Sequence, residues 1–147
     1  MLESPVLQKV INKRIEERHL RTGKHDSGEF FVEQNLKEIC AATKSKVMGQ
    51  YLAHGVQFKR IKDPSVDQST LNQLVLEEFE SRWSTLQGML ELCPGKEVFS
   101  ELNARLQSSC GINITPTSVL SMMTAGDVPS EIKDLIRGLD HFRCSRD

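Results

Sequence analysis

The chain has 147 residues, 38% of them hydrophobic and 27% charged, and a net charge of −1. That balance suits one globular domain with a sizeable core, and near-neutrality argues against a dedicated nucleic-acid or membrane-surface binder. Six Phe, one Trp and one Tyr are too few for a β-sandwich, which draws on aromatic and β-branched residues.

The first helix is expected over residues 4–22. Ser4 is placed as N-cap and Pro5 at N1, where its missing donor costs nothing. Leu7, Ile11 and Ile15 recur at a spacing of four, and Gly23 stops the run. Arg14 and Arg18 fall near the same face, so their stems either snorkel past the core edge or meet an acidic surface. The polar loop "KHDSGE" follows, with Asp26 or Ser27 as the next cap. A second helix is expected over 29–54 on Val32, Leu36, Ile39, Thr43, Val47 and Tyr51, widened by Phe30, Phe31, Cys40, Met48 and Leu52. Gly55 is its expected left-handed terminator.

"VQFKRIKDPS" then reads as a basic connector or one helical turn. Phe58 beside Lys59, Arg60 and Lys62 mixes an aromatic with cations, as single-stranded nucleic-acid sites do. One aromatic and three cations are too little for that. Thr70 and Gln73 suggest a capping box opening a third long helix. Leu71, Val75, Phe79, Trp83, Leu86, Leu90 and Cys93 step by threes and fours. About 25 residues at 1.5 Å each make a rod of roughly 37 Å. Pro94-Gly95 breaks the chain. A fourth helix is expected over 96–110, with Val98, Phe99, Leu102, Leu106 and Cys110 inward. A short fifth runs over 116–124, with Thr115 as N-cap, Pro116 at N1 and Gly126 ending it. The last, over 129–142, rides on Ile132, Leu135, Ile136, Leu139 and Phe142, and the tail "RCSRD" is frayed. These periodicities define an all-α protein: one helical domain, 1–147, forming a single compact bundle. Three long helices (about 4–93) precede three shorter ones (about 96–143).

The order of the fourth helix, a turn with Gly111 and Asn113, and the capped fifth helix is that of a helix-turn-helix. "SVLSMMTAGDVP" resembles in cadence the recognition helix and following turn of phage-repressor-like domains. DNA contacts on that reading would fall to Thr117, Ser118, Ser121 and Thr124. These small hydroxyls discriminate bases poorly beside Arg, Lys, Asn or Gln. Residues 96–147 also hold only six Lys/Arg against seven Asp/Glu, whereas phosphate neutralisation supplies most non-specific affinity.

No catalytic constellation is evident. His19, His25, His54 and His141 lack metal-site spacing. Neighbouring residues in His25-Asp26-Ser27 cannot adopt triad geometry. Glu77 and Glu78 diverge on a helix. Cys110 lies at a helix C-terminus, where a thiolate gains no dipole help. Asp140 to Cys144 reads as a solvated helix end. Cys40, Cys93, Cys110 and Cys144 form no CxxC pair, so they read as small apolar residues rather than zinc ligands. No cofactor or metal is expected. "MLESPVLQKV" lacks a basic-then-apolar leader pattern, and no run approaches the ~18 apolar residues of a bilayer span, so a cytoplasmic chain is expected.

Charge is uneven along the chain. Residues 1–63 carry twelve Lys/Arg against eight Asp/Glu, and residues 64–147 carry seven against twelve. The halves either attract each other within one fold or present opposite faces to different partners. The functional expectation is a non-enzymatic regulatory or protein-interaction module. It would bind an acidic partner protein through Lys9, Lys13, Arg14, Arg18, Arg21, Lys59, Arg60 and Lys62. The alternatives are a DNA-binding regulator using about 96–142, and a homo-oligomer built on the helix from Leu71 to Cys93.

Overall fold

The computed structural model describes residues 4–24 and 28–144; for residues 4, 131 and 139–144 the backbone alone is described. The fold is all-α. The helices are α1 (Ser4–Thr22), α2 (Val32–Lys62), α3 (Gln68–Trp83), α4 (Leu86–Leu92), α5 (Gly95–Cys110), α6 (Pro116–Met122) and α7 (Ser130–Cys144), with a 3-10 turn over Ala125–Asp127. Among the described residues there is no strand. The chain divides into two compact units: Met1–Val32 with Leu106–Asp147, and Glu33–Arg105.

The first unit joins the two ends of the chain. On α1, Val6, Leu7, Val10 and Ile11 are buried, Val10 and Ile11 almost completely, while Ile15 is half-buried. Gly23, at φ +65°, ends the helix as expected, its N–H donating to His19 O at 2.8 Å. Asp26 and Ser27, the expected caps of α2, lie outside the described residues, as do the Ser4 side chain and Ser145 to Asp147. The described capping comes from α1. The Gln8 amide donates to Phe30 O at 2.7 Å and accepts from Val32 N at 2.8 Å, which satisfies one orphan donor of the first turn of α2. Phe30 is buried ahead of the helix, so α2 starts at Val32 rather than near residue 29. Thr115 and Ser118 form a reciprocal capping box at α6, with Pro116 in its first turn and Val119 buried. On α7 the expected inward stripe is exposed: Ile132, Leu135 and Ile136 are 46%, 63% and 53% accessible. The side chains of Leu139 and Phe142 lie outside the described residues.

The second unit departs most from the sequence expectations. α2 does not end at Gly55. It continues through "VQFKRIK" for 31 residues in all. A Cβ at Gly55 would stand 2.6 Å from Val75 Cγ1, so this glycine admits α3 at close range instead of turning the chain. Val56, Leu71 and Val75 form a buried cluster at that crossing. α2 stops before Pro64, which disfavours a helical conformation in the residue ahead of it.

α3 is capped one turn earlier than Thr70. Asp67 accepts from Thr70 N at 3.0 Å and Thr70 Oγ1 at 2.6 Å. The expected 25-residue rod is two helices. At the break Ser84 Oγ donates to Ser81 O at 2.7 Å, and Thr85 Oγ1 accepts from Gly88 N at 3.1 Å. Consecutive hydroxyl side chains thus take over backbone partners and let the chain fold back. Leu71, Val75, Phe79 and Trp83 are all buried, so the α3 part of the stripe considered for self-association is covered within the chain, while Leu86 and Leu90 on α4 are half-buried.

The uneven charge resolves inside each unit. The first unit holds ten Lys/Arg and ten Asp/Glu, the second nine and ten. Cations from the basic half meet carboxylates from the acidic half: Lys9 with Asp127 at 3.2 Å, Lys44 with Glu80 at 2.9 Å, and Lys46 with Glu97 and Lys59 with Glu78 at 3.2 Å. Such exposed pairs contribute about 0–1 kcal/mol each, so they select partners within the fold more than they hold it together.

Candidate functional site

An open groove of about 750 Å³ lies along α2 in the second unit. Val47, Tyr51, His54, Phe58 and Ile61 form its floor, and Leu92 borders it. On the floor the spacings are 4, 3, 4 and 3, which places all five on one helical face. Cover falls away along that face. Val47 is buried and Tyr51 half-buried, but His54 is exposed, and Phe58 and Ile61 are 58% and 74% accessible. Tyr51 is fixed by its ring 5.5 Å from that of Phe79 and by its hydroxyl, which donates to Glu78 at 3.0 Å. That hydrogen bond, reinforced by Lys59, holds the Glu78 carboxyl below its usual range. Lys62 Nζ stands 4.6 Å from the Phe58 ring centroid, a cation–π arrangement. Arg60 borders a second groove with Leu52, Val56 and Leu76.

The eight cations of the sequence analysis divide between the units. Lys59, Arg60 and Lys62 lie in the last turns of α2, where the negative dipole end favours them. The other five are on α1. Lys13 and Arg21 are exposed there. Lys9 pairs with Asp127, and Arg14, half-buried, lies 3.4 Å from Glu17. Arg18 has a structural place: its Nη1 donates to Cys110 O at 2.6 Å, at the end of α5. Gly111, at φ +63°, leaves room for that guanidinium, which a Cβ would meet at 2.7 Å. Arg18 thus caps the carbonyl end of a neighbouring helix.

The four hydroxyls considered for DNA contact sit on or beside α6. Ser118 is occupied by the capping box, Ser121 Oγ donates to Ser118 O at 2.9 Å, and Thr124 Oγ1 donates to Asp127 at 2.8 Å. Thr117 is exposed. Three of the four therefore serve local backbone geometry.

Asp127 closes the corner between α6 and α1. It accepts from Thr124 N at 2.7 Å and from Thr124 Oγ1, and Lys9 adds its charge. These donors, the Thr124 backbone first, hold its carboxyl down at about 2. A carboxyl lowered in the fold stabilises it fully above its unfolded value near 3.8 and loses that contribution as pH falls through 2. Asp127→Asn is accordingly expected to be less stable than the parent at pH 5, with the difference closing between pH 4 and 2; urea midpoints across that range test it.

Cys40, Cys93 and Cys110 are free and buried. Burial, then a hydrogen bond with Cys93, pushes the Cys40 thiol up to about 12, and burial raises Cys110 as well. Such thiols are poor nucleophiles. The side chain of Cys144 lies outside the described residues. So do those of Asp140 to Arg143, and His25 lies outside them entirely. Among the described residues, no three His, Cys, Asp or Glu side chains gather to hold a metal ion, and no helix is long and apolar enough to cross a membrane.

Phe58 stood out in the sequence, but the groove did not, because Gly55 read as a helix end. Continuing the 4-3 spacing from Val47 through Gly55 to Ile61 is the signal that would have revealed it. Compared with protein-family models, curated proteins and solved structures, the chain matches none of them.

Proposed function

We propose that this chain is a non-enzymatic protein-interaction module, regulatory in role, that captures an acidic partner protein on the second half of α2. The observation that carries the reading is the exposed pair Phe58 and Ile61, three residues apart on one helical face and flanked in the groove by Lys59 and Lys62, with Arg60 next in the chain on the neighbouring groove. The cations have a local reason to be there, because a helix C-terminus favours them. The exposed Phe and Ile have none: covering each would be worth about 1.5–3 kcal/mol. An apolar centre with a cationic rim is the composition of a protein-binding patch. Lys9 and Arg18, occupied within the first unit, do not contribute to this surface.

The test is a titration with fluorescein-labelled peptides rich in Glu and Leu, beside labelled random duplex DNA, at low and moderate salt. Micromolar peptide binding is expected. Ile61→Asp should abolish it with the circular dichroism spectrum unchanged, since Ile61 is exposed. Equal binding by Ile61→Asp rejects this surface. Duplex binding at moderate salt without peptide binding rejects the reading in favour of a DNA-binding regulator.

A further inference from the structure

Resting on the interaction reading, we infer that the partner segment is an amphipathic α-helix of about three turns, with an acidic first turn, laid antiparallel along α2. Three observations lead there.

The first is spacing. Val32, Leu36, Ile39, Thr43, Val47, Tyr51, His54, Phe58 and Ile61 follow one another by threes and fours along α2. Val32 to Val47 are buried or half-buried, and accessibility then rises to Ile61. The last five positions keep a strict 4-3-4-3 pattern, the spacing that seats a facing helix by knobs into holes. An extended strand, with its period of two, meets such a row out of step.

The second is length. Val47 is already covered within the chain, so the open row runs from the half-buried Tyr51 to Ile61, about 15 Å of helix axis, matched by a partner helix of about ten residues.

The third is charge, which sets the direction. Lys59, Arg60 and Lys62 lie at the C-terminal end of α2, together with its negative dipole pole. A helix running antiparallel brings its positive N-terminal pole to that end. Acidic residues in its first turn stabilise that helix and meet Lys62, which lines the groove, and Lys59, which there shares its charge with Glu78. A parallel helix would set two negative poles side by side.

The experiment uses the full chain and three labelled peptides of about sixteen residues, each with Leu at 4-3 spacing. One has Glu in its first turn. The second has the same composition with Glu in its last turn. The third is the first with two central residues replaced by Pro. The first is expected to bind at least about tenfold more tightly than the others and to gain helical circular dichroism on binding. Lys62→Glu should erase its advantage over the second, and Lys62 is exposed, so the fold is expected to persist. If all three bind alike, the helical, antiparallel partner is rejected while the acidic-partner reading stands. If the Pro-containing peptide binds best, the partner is extended and the inference is likewise rejected. If none binds, the interaction reading falls with it.

Discussion

Phe79→Ala is expected to remove about 4 kcal/mol of stability, a large share of the roughly 5–15 kcal/mol that holds an ordinary domain together. Phe79 is fully buried on α3. Its ring stacks on Trp83 with centroids 5.2 Å apart and tilts against Tyr51 at 5.5 Å. Truncation loses the transfer free energy of the ring and leaves a cavity between two aromatics that cannot both close in. Urea unfolding followed by circular dichroism measures the loss, and the single Trp83, next to the cavity, reports it through its emission. Leu74→Ala on the same helix is the contrast. Leu74 is 46% exposed, so its removal should change stability by no more than about 0.5 kcal/mol. A loss below about 1 kcal/mol for Phe79→Ala would show that this aromatic cluster does not form the core of the second unit.

Gly88→Ala should cost about 3 kcal/mol, a large effect for one added methyl. A Cβ at Gly88 would lie 1.8 Å from Arg82 O, a backbone atom at the end of α3. No side-chain rotation relieves that contact, so the turn joining α3 to α4 must open and Thr85 must give up its cap. Thermal unfolding should fall by roughly 6–12 °C. Gly49→Ala is the internal control, because a Cβ there meets nothing within 4 Å. It lies inside α2, where alanine is the better helix former, and should stabilise by about 0.5–1 kcal/mol. Opposite signs at the two glycines separate steric need from helix propensity. If Gly88→Ala were as stable as the parent, the fold-back at Thr85 would not exist in solution.

Gly55 misled the reading of the sequence. Gly55 has the same local signature whether it ends a helix or lets another helix approach. Only Val75, twenty positions on in the chain, distinguishes the cases. The break at Ser84-Thr85 was hidden for a related reason: apolar spacing continued through it, and hydrophobic periodicity carries no information about a backbone that folds back. Capping chemistry was more legible. Thr115-Pro116 and Gly23 acted as local rules predict, because caps are decided by atoms within one turn. Arg18 has a structural role its charge alone did not reveal: its hydrogen bond goes to the carbonyl of Cys110.

The amino-acid sequence by itself determined that this protein is helical, where most of its helices begin, and which faces are apolar. Those properties follow from spacing and capping within a few residues. Tertiary structure alone decided that α1 shares a unit with the chain beyond Leu106, that α2 runs on to Lys62, and that Phe58 and Ile61 are left open on its face. The physical reason is that an apolar stripe specifies burial without naming what buries it. Which part of a stripe stays uncovered depends on where distant helices lie.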